Sequence, residues 1–187
     1  MKSILPVDEL NRLEERIKEK LGAGELPKSK QDADAAEDML LDFFLYAYSM
    51  GNETTNASLS SDYKPSTDDI MKVIDEEVAG KTWRERVQGY FSEGGTEEDI
   101  TRIAATEAHR IANKAAYEAA KAAGAKTKTW HCMMLPTSRD THRYLDGVSA
   151  PIDGKFYSYK GNETLYPGQW GVAEEDVNCL CFLTFDR

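Results

Sequence analysis

The chain has 187 residues, enough for one domain or for one compact domain with a helical extension. Hydrophobic residues make up 41% and charged residues 30%, so a core of moderate size lies under a heavily solvated surface. Asp and Glu number 33 against 23 Lys and Arg, and the net charge of -10 excludes bulk, sequence-independent coating of DNA, which rests on neutralising phosphates.

The opening stretch, MKSILPVDELNRLEERIKEK, turns charged after Val7 and carries neither an apolar signal core nor a small-residue cleavage pattern, so a soluble, cytoplasmically made protein is expected. Leu10, Leu13, Ile17 and Leu21 recur at helical spacing and predict an amphipathic helix that stops at Gly22 and Gly24, with Pro27 in a polar connector. A second helix is expected over about 31–50. Its middle, MLLDFFLYAY, is apolar almost all round, yet it is too short for a membrane span, which needs about 20 residues. Such a helix is buried on more than one side, against the chain's own core or against a partner.

GNETTNASLSSDYKPSTDD reads as a polar loop, and without a secretion signal its sequons at Asn52 and Asn56, like that at Asn162, read as chance matches. Ser66 with Asp69 forms a capping box for a helix through Ile70, Val73 and Ile74. Thr82 with Glu85 opens another through Trp83, Val87 and Phe91. Gly80-Lys81-Thr82 is not a phosphate loop, because that motif needs a glycine where Asp75 stands.

GGTEEDITRIAATEAHRIANKAAYEAAKAAGAK predicts a long helix capped by Thr96, with Asp99 returning the bond, and closed by Gly124. Ile100, Ile103 and Ile111 with Ala104, Ala108, Ala115 and Ala119 form an apolar stripe whose small residues let another element approach closely. Glu107, Arg110 and Asn113 lie at spacings of three, either as a solvated row with an ion pair or as a set reaching a common partner. After Gly124 the strand candidates are KTKTWHCMM, KFYSYK (155–160) and CLCFLTF (179–185), set among Gly147, Gly154, Gly161, Gly168, Gly171, Pro151 and Pro167. The expected fold is α+β: a helical N-terminal half over 1–78, then a region over 79–187 in which the long Ala-rich helix packs on a small antiparallel β-sheet.

Two clusters carry candidate chemistry, RDTHRYLDG (139–147) and DVNCLC (176–181). Three cysteines without an export signal argue against a disulfide framework. On a strand, Cys179 and Cys181 would share one face. In one reading two pairs, Asp140 with His142 and Asp176 with Cys179, close a loop on a single zinc held by His142, Asp176 and Cys179, with Cys181 as an alternate thiolate and His109 and His131 as competing imidazoles. In another the clusters form a metal-free clasp. Arg139 or Arg143 then pairs with Asp176, His142 braces a carbonyl or carboxylate, Asp146-Gly147 makes a turn, and Cys179 and Cys181 are small buried hydrophobes. A Cys-His-Asp nucleophile can be written down, but nothing in the sequence marks a cysteine as reactive.

ATEAHRIANKAAYEAAKAAGAKTKTW, SRDTHRYLDG and VNCLCFLTF, in this order and with these gaps, resemble the C-terminal domain of the Mu F-like phage head morphogenesis (minor head, or minor capsid) proteins over about Ala79 to Phe185. Many relatives carry Cys-x-x-Cys where this chain has Arg139 and His142, and His-x-x-Cys-x-Cys where it has Asp176, Cys179 and Cys181. Arg139 stays protonated and is no metal ligand, so opposite Asp176 the resemblance implies an ion pair in place of a metal bridge. A helix signature that commonly begins Arg-Thr-Glu is here Ala105-Thr106-Glu107, and Glu107 and Asn113 are implied to brace the helix against the β segment. The implied role is structural and non-enzymatic: assembly of a tailed-phage head near the portal vertex, in contact with portal, major capsid or scaffold protein. The implied location is the host cytoplasm and then the virion head, with the variable N-terminal region as a place for partner contacts. Because Mu F-like domains also occur beside toxin domains, the competing implication is an effector, either an ADP-ribosyltransferase or a metal-dependent nuclease.

Overall fold

The computed structural model of the chain describes residues 30–93 and 97–187, together with Arg12 and Glu15. The expected N-terminal helix through Leu10, Leu13, Ile17 and Leu21, its stop at Gly22 and Gly24, Pro27, and the Thr96 cap lie outside the described residues. From residue 30 onward the described residues form four helices first: α1 (Lys30–Leu59), α2 (Thr67–Ile74), α3 (Trp83–Glu93) and α4 (Glu97–Ala122). Short elements follow: β1 (Thr127–His131), α5 (Asp140–Arg143), β2 (Ser149–Pro151), β3 (Phe156–Tyr157), β4 (Glu163–Thr164), α6 (Ala173–Asp176) and β5 (Phe182–Asp186). The fold is α+β, as the sequence implies.

Helix α1 does not stop near residue 50 but runs through the stretch read as a polar loop. The reason lies on one face. Gly51, Thr55 and Leu59 recur every four residues, and all three are buried. Gly51 sits so close to α4 that a Cβ there would lie 2.1 Å from the carbonyl oxygen of Ala112. The helix ends where Ser60 turns left-handed at φ 49°. The side chain of Asn56 then donates to the carbonyl of Tyr63 at 2.8 Å and ties down the returning chain.

The apolar middle of α1 is covered by the chain itself. Met39, Leu40, Phe43, Phe44, Ala47 and Tyr48 share a core with Val73 and Ile74 of α2, Trp83 and Val87 of α3, and Ile100, Ala104, Ala108 and Ile111 of α4. Phe44 meets the Trp83 ring edge-on at 5.1 Å between centroids. Both capping boxes form. Asp69 N donates to the Ser66 hydroxyl at 3.2 Å, and Thr82 N donates to the Glu85 carboxylate at 2.7 Å.

A second core begins on the last third of α4, with Ala116, Tyr117 and Ala120, and continues through Trp130, Leu145, Phe156, Tyr166, Trp170, Leu183 and Phe185. Its sheet has the order β2-β1-β5 and is antiparallel throughout, with Trp130 opposite Leu183 and Thr129 opposite Ser149. The KFYSYK candidate contributes two residues only, paired Phe156 to Thr164. Pairing stops there because Ser158 N turns to the carbonyl of Asn162 at 2.9 Å, closing a tight loop through Gly161 at φ 88°. Among the described residues no helix is long and apolar enough to cross a membrane.

The Gly51 contact predicts opposite effects for two helical glycines. Gly51→Ala should destabilise the chain by about 2 kcal/mol or more in chemical denaturation, since the Ala112 backbone has no room to yield. Gly89→Ala on α3, where a Cβ meets nothing within 4 Å, should stabilise by about 0.5–1 kcal/mol. His109, buried on α4, supplies a pH limb. Burial pulls its pKa down to about 4, so the folded state keeps it neutral while the unfolded chain protonates it. Its contribution is therefore complete above about pH 6.5 and is lost as pH falls toward 4, by about 3 kcal/mol. The stability difference between wild type and His109→Gln should shrink by that amount between pH 7 and pH 4 in urea titrations.

Candidate functional site

Glu107, Arg110 and Asn113 face inward, not toward solvent. Arg110 is 1% exposed. Its guanidinium donates to the carbonyls of Val73 (3.1 Å) and Ile74 (3.2 Å), the last residues of α2, and to the Glu76 carboxylate at 3.0 Å. Those carbonyls have no partner within their own helix, so a buried cation there satisfies them and suits the negative end of the helix. Arg110 Nε also donates to Glu107 at 2.8 Å, and Glu107 accepts from Arg86 of α3 as well. Gly168 closes over this arginine: a Cβ would come within 3.0 Å of it, and the glycine takes φ 88°. Asn113 donates to the carbonyl of Cys181 at 3.1 Å. Of the two implied braces, Asn113 reaches the β segment, whereas Glu107 ties α4 to α3.

The two sequence clusters come together beneath Asn113. His142 lies on α5, and its Nδ1 is 3.5 Å from the sulfur of Cys179 and 3.5 Å from that of Cys181. The cysteines precede β5 and are not on it. They still face the same way, because Asn178 turns left-handed at φ 57° and delivers an extended approach to the strand. These three ligand atoms all lie within 4.8 Å of one another. Cys132, just past β1, stands beside this trio but outside the 4.8 Å set. All four residues line a cavity of about 30 Å³. On the far side of the imidazole, Nε2 lies 3.2 Å from the fully buried Glu175 carboxylate, off the line of a hydrogen bond. Glu175 accepts from Thr141 at 2.8 Å. Trp170 stacks on His142 at 5.9 Å and Trp130 meets it edge-on at 5.8 Å, so the ring sits in an aromatic slot.

The thiols do not titrate alike. The hydrogen bond from Cys181 brings Cys132 down to about 6, against its burial. The same donor, with His142, brings Cys179 well below the ordinary thiol range. Cys181, placed between the two more acidic thiols, is driven up and keeps its proton. Burial alone would depress His142, but the hydrogen bond and charge of Cys179 and the charge of Glu175 raise it. The pocket thus concentrates negative charge around one imidazole.

The remaining sequence candidates take other work. Asp176 accepts from the amides of Trp170 (2.9 Å) and Gly171 (2.8 Å), so it holds a loop and faces neither Arg139 nor the thiols. Burial pushes its pKa up to about 6 although those two amides pull it down. Arg139 donates to the carbonyl of Val177, and Arg143 to the carbonyl of Leu135 at 2.8 Å, so the Arg–Asp176 ion pair does not form. Asp146 accepts from Cys132 N at 2.9 Å, and Gly147, at φ 76°, donates to the carbonyl of Trp130 at 2.8 Å. Their turn fixes the end of β1. His131 leaves the cluster and pairs with Thr184 at 2.8 Å, while His109 is buried on α4. Sequence reasoning missed Cys132 and Glu175. The available signals were a thiol at the end of a strand and a second acid beside Asp176.

Comparison with known proteins adds to this geometry. The chain matches the family described as Phage Mu protein F like protein over residues 66–184, starting ahead of the Ala79 expected from the sequence motifs. It is 39% identical over 84 residues to the NAD(+)--arginine ADP-ribosyltransferase EFV of Enterococcus faecalis (strain ATCC 700802 / V583), covering 43% of this chain and 17% of that one. It is 33% identical over 85 residues to the Minor head protein GP7 of Bacillus phage SPP1, covering 44% of this chain and 28% of that one. The chain thus spans less than a third of the length of either curated relative. No solved structure gives a significant match. With the family match covering residues 66–184, well over half of its length, this chain belongs to the Phage Mu protein F like protein family.

Proposed function

We propose that this chain is a structural component of a tailed-phage head, a minor head protein that works in capsid assembly near the portal vertex. The family match over residues 66–184 carries this reading, and the likeness to the SPP1 minor head protein supports it. The geometry agrees with a structural role. Glu107, Arg110 and Asn113 are engaged in holding helix ends and a strand entry. The partners under this reading are portal protein and major capsid or scaffold protein, met first in the host cytoplasm and then in the finished head.

A second reading, an effector with arginine-specific ADP-ribosyltransferase activity, draws on the likeness to the enterococcal enzyme. The matched part is 17% of that enzyme, so the likeness leaves most of its chain without a counterpart here.

One preparation separates the two. Sucrose-gradient fractions of an infected-cell lysate, probed with an antibody to this chain, should hold it in procapsids and virions and should yield portal protein on immunoprecipitation. Absence from both particles overturns the head-protein reading. Transfer of label from NAD(+) to an arginine-rich acceptor by the purified chain would establish the effector instead.

A further inference from the structure

We propose that Cys132, His142, Cys179 and Cys181 bind one zinc ion as a closed, structural site. This inference does not depend on the head-protein reading. Three thiols and one imidazole are a donor set that structural zinc sites use, and such sites keep no open position.

The distances suit a shared central ion. With Zn–S of about 2.3 Å and Zn–N of about 2.0–2.1 Å, a tetrahedron has an N···S edge of roughly 3.5 Å. His142 Nδ1 lies at 3.5 Å from both Cys179 and Cys181. Two sulfurs at equal distance from one nitrogen are what a common centre needs. The cavity that these four residues line together with neighbours such as Ser138 and Arg139, about 30 Å³, has room for one water-sized occupant.

The surroundings are those of a ligating imidazole. Metal-bound histidines commonly direct their second nitrogen to a carboxylate that fixes the ring, and here Glu175, fully buried and held by Thr141, lies 3.2 Å from Nε2. Asp146 fixes the backbone of Cys132, and Asn113 fixes the carbonyl of Cys181. The four ligands come from three separated segments: the end of β1, α5, and the approach to β5. An ion there would pin the loops between them, and its binding free energy would become folding free energy. Cys132 is the outlying member: it lines the same cavity but lies outside the 4.8 Å trio, so the four-ligand site requires its thiol to close onto the ion.

The test uses the full chain, purified under reducing conditions and titrated with zinc alone and with cobalt(II) as a spectroscopic probe. Expected are one zinc per chain retained through gel filtration and a cobalt spectrum saturating at one equivalent, with tetrahedral ligand-field bands and thiolate charge transfer. Removing the metal with a chelator should lower the unfolding temperature. Glu175→Gln should weaken binding by about 10- to 100-fold, and Cys132→Ser by more. Asp176→Asn should leave the stoichiometry at one. The proposal is overturned if the unaltered chain retains no zinc and gives no thiolate charge transfer with cobalt, a result that no folding failure of a variant can mimic. It is also overturned, as a four-ligand site, if Cys132→Ser folds and binds zinc with unchanged affinity.

Discussion

Helix α4 has to serve two cores at once, and the near-contact of its backbone with α1 at Gly51 makes this possible. The helix spans 26 residues, about 39 Å of rise. Its first two turns of isoleucine and its run of alanines pack against α1, α2 and α3, while its last third closes the β segment. Alanine buries little apolar surface per residue, so such a helix gains most when its partner comes close enough for dense packing of backbone against backbone. Gly51 supplies that closeness from the other side, with no Cβ to hold Ala112 away. The apolar α1 segment is thereby committed to the interior of its own chain, leaving only Leu45 and Tyr46 moderately exposed on its outer face.

The polar row on α4 works under the same constraint. A guanidinium as deeply buried as that of Arg110 costs several kcal/mol in lost hydration and is tolerated only with all its donors engaged. Two helix-end carbonyls and the carboxylates of Glu76 and Glu107 engage them. The arrangement is directional. It fixes where α2 ends relative to α4, and through Gly168 it fixes the loop that carries Trp170 and Asp176. Asn113, one turn further on, sets the approach to β5. The thiol pocket thus takes its position from hydrogen bonds made on the helix as well as from the end of β1, which carries Cys132.

Much of the site could be read from the chain, and the failures have local causes. His142 and Cys179 stand out by residue type, and the structure brings them together. Asp176 is equally conspicuous, but a carboxylate three residues before a thiol is drawn first to nearby backbone amides, and Trp170 and Gly171 supply two. Arg139 donates to the carbonyl of Val177. Cys132 and Glu175 escape notice because neither has a partner at a recognisable spacing; their partners lie 49 and 33 residues away in the chain, at Cys181 and His142.

The sequence by itself determined the α+β class, the capping boxes at Ser66 and Thr82, the long alanine helix and the final strand, because each rests on interactions within a few residues of the chain. It also determined the family, through motifs kept in order. Only the tertiary structure decided that α1 continues through Asn52 and Asn56, that the Glu107 row turns inward, and that three thiols and one imidazole share a cavity. Those outcomes depend on which backbone approaches which, and such encounters across tens of residues leave no periodic trace in the sequence.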